Sequence, residues 1–132
     1  MKVLVDTSVW SRALRRSANK DESIQRKLAD LIASHRAQII GPIRQEILSG
    51  IKDERQFERL SIHLSAFPDV PTVGDDYIMA ATFFNMCRRK GVQGSNTDFL
   101  ICAVAVRSKM AIFTTDEDFR AFSRFIPIGL FE

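Results

Sequence analysis

The chain has 132 residues, 45% of them apolar, and 19 basic against 16 acidic side chains give it a net charge of +3. That size and apolar content suit one small domain with a real core, expected to span residues 1–132. No window approaches the roughly 18 continuous apolar residues of a membrane span, and the opening Met-Lys-Val-Leu-Val-Asp lacks the apolar length and cleavage site of a signal peptide, so a cytoplasmic location is expected.

In chain order, Val3-Leu4-Val5 reads as a short strand that Asp6 ends. Arg12, Arg15, Arg16 and Lys20 follow, where the backbone of a polyanion would pass an acidic site. Ile24, Leu28, Leu31 and Ile32 recur at helical spacing, and residues 37–40 then form a strand stopped by Gly41-Pro42. Pro42 suits a helix start; the helix from Ile43 puts Ile43, Ile47 and Ile51 on one apolar stripe, with Glu46 at its edge. Phe57, Leu60 and Leu64 keep the same period before Pro68 and Pro71 break the chain. Ile78, Ala81, Phe84, Met86 and Cys87 predict a long amphipathic helix over 75–89, ended by Lys90-Gly91. Ser95, Asn96 or Thr97 can cap the next helix, whose Leu100, Ile101, Val104 and Ala105 pack on the sheet while Asp98 lies in the first turn. Residues 111–115 form a third strand leading to Asp116, a short helix and a last strand. The pattern is α/β.

Four carboxylates organise this pattern. Asp6 and Asp116 stand at strand exits, and Glu46 and Asp98 stand on helices. In a parallel sheet, groups just beyond the carboxyl ends of strands meet in one crevice. Alone, Asp6 or Asp116 is explained as a helix cap, Glu46 as a solvated helix residue and Asp98 as a favourable charge at a helix N-terminus. Together they repel by roughly 4 kcal/mol per pair at about 4 Å and an effective dielectric near 20, so the cluster either protonates in part or recruits a hard divalent cation. A Mg2+ or Mn2+ site is expected. With those four acids withdrawn, 19 basic side chains face 12 acidic ones, or +7. Part of that excess, Arg88-Arg89-Lys90 and Arg107, also complements helix dipoles. Cys87 and Cys102 have no C-x-x-C pairing and read as buried free thiols, while His35 and His63 lack metal-ligand spacing. Trp10, Phe57, Phe67, Phe83 and Phe84 divide between core and interface.

The segment Lys2-Val3-Leu4-Val5-Asp6-Thr7-Ser8-Val9-Trp10 resembles the opening of a PIN domain, specifically of the VapC toxins of toxin-antitoxin pairs. Three later segments are similar to the family in the same order: Pro42 to Gly50 around Glu46, Asn96 to Ala105 around Asp98, and Ile112 to Phe119 around Asp116 and Asp118. Cys102 stands where the family usually has Ala, a small packed position away from the chemistry.

The resemblance implies a three-layer α/β/α fold on a mostly parallel sheet of four or five strands, and Mg2+-dependent endoribonuclease activity. Carried over residue by residue, Asp6, Glu46, Asp98 and Asp116 form the catalytic and metal-binding set, with Asp6 and Asp98 as the leading ligands and Mn2+ able to substitute. Asp118 matches the motif's end as well as Asp116 does; Asp116 is favoured as the fourth acid and Asp118 as a supporting residue. Ser8 and Thr115 offer hydroxyls to a carboxylate or phosphate, and Arg12 is a candidate RNA phosphate contact. A VapB-type antitoxin and a homodimer are the implied partners. A signalling receiver domain fits less well, since it needs paired acids after the first strand and a later Lys; a haloacid-dehalogenase-type phosphatase needs an acid where Ser8 stands. A catalytically silent PIN fold that grips RNA or protein is the alternative of a different class.

Overall fold

The computed structural model describes residues 1–14 and 22–132. Arg15, Arg16 and Lys20, expected beside the acidic site, lie outside the described residues. The elements run β1 (Val3–Val5), α1 (Thr7–Leu14), α2 (Glu22–Ala33), β2 (Ala37–Gln38), α3 (Gly41–Leu48), α4 (Glu54–Leu64), α5 (Gly74–Arg89), α6 (Asn96–Ser108), β3 (Ala111–Phe113) and α7 (Asp118–Phe122).

The three strands form a parallel sheet in the order β2-β1-β3, with Val3, Leu4 and Val5 opposite Ala111, Ile112 and Phe113. Helices flank it, and the α/β class is as expected. The expected four or five strands are corrected to three among the described residues. Segments at both edges make only isolated parallel bridges, Ile39 to Asp69 and Ile112 to Leu130. Pro68 and Pro71 flank the first segment and Pro127 precedes the second. A proline has no N–H to give to a ladder, so neither segment can lengthen its pairing into a full strand.

β1 lies at the centre of the sheet, with all three residues fully buried. Seven consecutive residues of α6, Phe99 to Ala105, are buried too, so this helix is apolar on nearly every side and runs through the middle of the molecule. Phe119 and Phe122 of α7 close the core below it, with Phe122 tilted against Phe99 at 4.6 Å between ring centroids. Trp10 is fully buried and donates from Nε1 to the Val5 carbonyl, and Phe83 is buried, whereas Phe57 stands 41% exposed. Both cysteines are buried and free, and both histidines are exposed.

Two periodicities differ from expectation. The buried positions of α5 are Asp76, Ala80, Phe83 and Cys87, while Ile78 and Ala81 face outward. The reason is polar. Asp76 is 2% exposed and takes a two-pronged ion pair from Arg107, with Nε at 2.6 Å and Nη2 at 3.0 Å, and this pair sets the rotation of α5 against α6. In α3, Ile43 and Ile47 are buried, but the helix stops at Leu48 and Ile51 falls beyond it, before which Gly50 turns the chain at φ +85°.

Candidate active site

A sheet of order β2-β1-β3 reverses its direction of winding between β1 and β3, and in open parallel sheets the ligand crevice opens at that switch, beyond the carboxyl ends of the strands. Asp6 immediately follows β1 and Thr114 immediately follows β3. Because Val5 is in register with Phe113, the next residues of the two strands emerge side by side, tied by Asp6 N–H to the Phe113 carbonyl at 2.8 Å.

Asp6 is 5% exposed, and one of its oxygens is clamped by two hydroxyls. Ser8 Oγ donates to Asp6 Oδ2 at 2.8 Å and Thr114 Oγ1 donates to the same oxygen at 2.9 Å. Each hydroxyl has a single proton and also accepts from a backbone N–H: Ser8 Oγ from Thr115 at 3.0 Å, and Thr114 Oγ1 from Asp116 at 3.0 Å. The clamp therefore links the start of α1 to the exit of β3. Ser8 is thus one of the two hydroxyls on Asp6, and Thr114, not singled out from the sequence, is the other, while Thr115 gives its backbone N–H to Ser8. Strand register decides which of two adjacent threonines faces Asp6, and adjacent residues of a strand face opposite ways.

The other acids arrive on helices. Thr7 Oγ1 donates to Glu46 Oε1 at 3.1 Å, joining α1 to α3. Arg44, two residues earlier, anchors α3 through the Asp69 carboxylate at 2.9 Å and the carbonyls of Leu64 and Phe67. Asp98 is the third residue of α6 in a capping box with Ser95: Ser95 Oγ accepts Asp98 N–H at 3.0 Å, and Asp98 Oδ2 accepts Ser95 N–H at 3.1 Å. Asp116 follows β3, is half-buried, and its Oδ1 accepts the Asp118 N–H at 2.9 Å at the start of α7. Asp118 is exposed in the first turn of α7.

The electrostatics join the four acids. Burial raises Glu46 above the ordinary carboxylate range; the Thr7 hydrogen bond opposes this, and the charges of Asp6 and Asp98 add to it. Burial also raises Asp98, against the two hydrogen bonds to Ser95, and Asp6 and Asp116 push it further. Asp98 thus feels both strand-exit acids, and Glu46 feels Asp6 and Asp98. The cap occupies only one oxygen of Asp98, Oδ2.

That division recurs at all four positions. Asp6 Oδ2, Glu46 Oε1, Asp98 Oδ2 and Asp116 Oδ1 take protein donors, while among the described residues no donor meets Asp6 Oδ1, Glu46 Oε2, Asp98 Oδ1 or Asp116 Oδ2. All-oxygen donors suit a hard cation such as Mg2+, which uses one or two carboxylates and otherwise keeps its waters. Among the described residues no three His, Cys, Asp or Glu side chains are grouped closely enough to enclose an ion by themselves. The arrangement fits an open, partly hydrated ion and does not fit an all-protein cage. Arg12 is exposed in the last turn of α1, free of ion pairs among the described residues.

A family model for the PIN domain matches residues 3–124, a span that includes all four acids. The chain belongs to the PIN-domain family. Solved structures share the PIN fold over nearly the whole chain. FitAcB from Neisseria gonorrhoeae is similar at a TM-score of 0.79 with 19% identity, covering 98% of this chain and 96% of that one. VapBC2 from Rickettsia felis, bound to a DNA fragment from their promoter, gives 0.76 with 19% identity over 99% and 98% of the two chains. DNA-bound VapBC from Salmonella typhimurium gives 0.74 with 18% identity over 99% and 97%. No curated protein matches the chain by sequence. No helix among the described residues is long and apolar enough to cross a membrane.

Proposed function

We propose that this PIN-domain protein is a metal-dependent endoribonuclease and the toxin of a VapBC-type toxin-antitoxin pair, acting in the cytoplasm. One observation carries the reading: four carboxylates, linked by the repulsion of Glu46 with Asp6 and Asp98 and of Asp98 with Asp6 and Asp116, each commit one oxygen to the fold and leave the other without a protein donor among the described residues. A structural acid gains by satisfying both oxygens, and four that stop halfway hold their charge for a ligand.

Asp6 Oδ1 and Asp98 Oδ1 are the leading ligands for Mg2+, with Mn2+ able to substitute, and Asp116 Oδ2 completes or extends the set. When bound, the ion neutralises phosphate oxygens and lowers the pKa of a coordinated water. Glu46 Oε2, on a carboxyl whose pKa is raised, would take a proton from the attacking water, with Thr7 holding Glu46 through its other oxygen. Ser8 and Thr114 stop Asp6 from rotating. Arg12 contacts a phosphate of the RNA and positions it without reading a base. The antitoxin partner is a VapB-type chain able to place an Arg on these carboxylates, and the active form is a homodimer.

A second reading, a catalytically silent module that grips RNA or protein, is favoured by the missing three-carboxylate grouping. Incubation with total RNA in Mg2+, Mn2+ or EDTA, followed by mapping of new 5′ ends, separates the two. Cleavage at a few sites that needs metal and is lost in Asp98→Asn is expected; metal-independent cleavage, or none by antitoxin-free protein, sinks the nuclease reading.

A further inference from the structure

Beside the acids, where α5 ends and α6 begins, the surface holds a cavity of about 130 Å3 lined by Phe84, Arg88, Val92, Gln93, Gly94 and Phe99. On the same measure a single water needs roughly 10–15 Å3, so the space suits one flat heterocycle. Its floor is aromatic: Phe84 and Phe99 meet edge to face at 5.5 Å, and Phe99 is almost fully buried. Its rim is polar, with the exposed Arg88 guanidinium and Gln93 amide, which have no hydrogen-bond or ion-pair partner among the described residues. Glycine at position 94 keeps the wall thin: a Cβ there would collide with Phe122 and sit 3.0 Å from Phe99 Cε2.

The cavity is also close to the chemistry. Gly94 is peptide-bonded to Ser95, whose N–H lies 3.1 Å from Asp98 Oδ2. Arg89 and Lys90 continue the cationic rim toward solvent, where a phosphate backbone would run. An aromatic floor, a guanidinium plane and an amide able both to donate and to accept are the groups that proteins use to hold unpaired RNA bases.

We propose that this cavity binds one unpaired base of the RNA, next to the scissile phosphate, with Phe84 and Phe99 against the ring and Gln93 and Arg88 on its hydrogen-bonding edge. The inference rests on the nuclease reading and adds where sequence preference arises. It also gives Arg88 a task beyond complementing a helix dipole.

The test measures binding apart from cleavage. Fluorescent hexaribonucleotides carrying a single abasic site at each position in turn are titrated against the Asp98→Asn protein. The expected result is one position where loss of the base weakens binding by about ten-fold. That penalty should fall below two-fold when Gln93→Ala and Arg88→Met are added; both side chains are exposed, so the fold should persist. A flat profile, a penalty that survives these substitutions, or no RNA binding at all overturns the proposal. Wild-type cleavage of a randomised RNA pool is read separately. A base preference beside the cut that flattens in Gln93→Ala agrees with the cavity, and an unchanged preference refutes it. Absence of all cleavage with the abasic penalty intact sinks the nuclease reading alone.

Discussion

Thr114 gives the sharpest test of how the site is built, because valine copies its shape and lacks only the hydroxyl. Thr114→Val removes the 2.9 Å donor to Asp6 Oδ2 and the acceptor that meets Asp116 N–H at 3.0 Å. A hydrogen bond to a charged group contributes about 1.5–3 kcal/mol. The half-buried Asp116 N–H can turn to water, and Ser8 still holds Asp6, which keeps the sum near 2–3 kcal/mol. For a chain of this size that lowers the melting temperature by roughly 6–12 °C. Activity should fall about 10- to 100-fold, the usual effect of releasing a residue that orients a metal ligand. Urea unfolding and RNA cleavage at a temperature where both proteins are folded give the two numbers, and Thr114→Ser should restore most of each. Thr115→Val keeps its backbone N–H on Ser8, so its stability should stay within about 0.5 kcal/mol of wild type. Should Thr115→Val be the damaging substitution and Thr114→Val harmless, the register of β1 against β3 described above is wrong.

Three further outcomes are expected. Arg107→Leu leaves the buried Asp76 carboxylate with only the Val73 N–H, so the urea midpoint should fall, by less than for a fully buried pair because Arg107 is 40% exposed; an unchanged midpoint would show that the pair does not hold α5 on α6. Gly94→Ala forces a Cβ into Phe122 and Phe99 and should cost about 1–3 kcal/mol; a change within about 0.5 kcal/mol would show that the wall of the base cavity yields freely. The acids should also give opposite pH signatures. Asp98 and Glu46 are raised by burial and by their neighbours' charges, so the stability they contribute is present below about pH 4 and is lost as pH climbs through their folded values. For Asp76, burial pushes upward but the Arg107 and Val73 hydrogen bonds and the Arg107 charge prevail, so its contribution is present above about pH 4 and disappears on acidification below that. In EDTA, thermal unfolding should therefore show a loss of stability as pH rises above about 4 that shrinks in Asp98→Asn, whose amide oxygen still accepts from Ser95, and that Mg2+ reverses in wild type. A loss of equal size in both proteins would remove Asp98 as its source.

The clustered acids carry a cost in stability. Charges held beside one another by Thr7, Ser8, Thr114 and Ser95 oppose folding in the absence of a cation, and the hydroxyl and backbone donors on one oxygen of each keep them in place. Substitutions that neutralise Asp98 or Glu46 without disturbing those donors should thus stabilise the fold while removing function.

Much of this was legible in the amino-acid sequence, since it depends on local chemistry. Val3 to Val5 read as a strand because short apolar runs bounded by an acid do; Pro42 marked a helix start and Lys90-Gly91 a helix end, since each residue type restricts its own backbone. The four acids stood out through their places at two strand exits and on two helices. Only the tertiary structure decided the rest. The choice of Thr114 over Thr115 follows from strand register, a relation between residues about 110 apart in the chain. The face that α5 buries was misread because hydropathy favours Ile78, whereas the ion pair of Asp76 with Arg107, 31 residues away, turns a charged residue inward. The expected last strand is a single bridge at Leu130, close after Pro127, which has no N–H to give to a ladder. Residue types and their local periods are properties of a segment, and sequence alone conveys them; register, helix rotation and the meeting of distant acids arise only when segments pack.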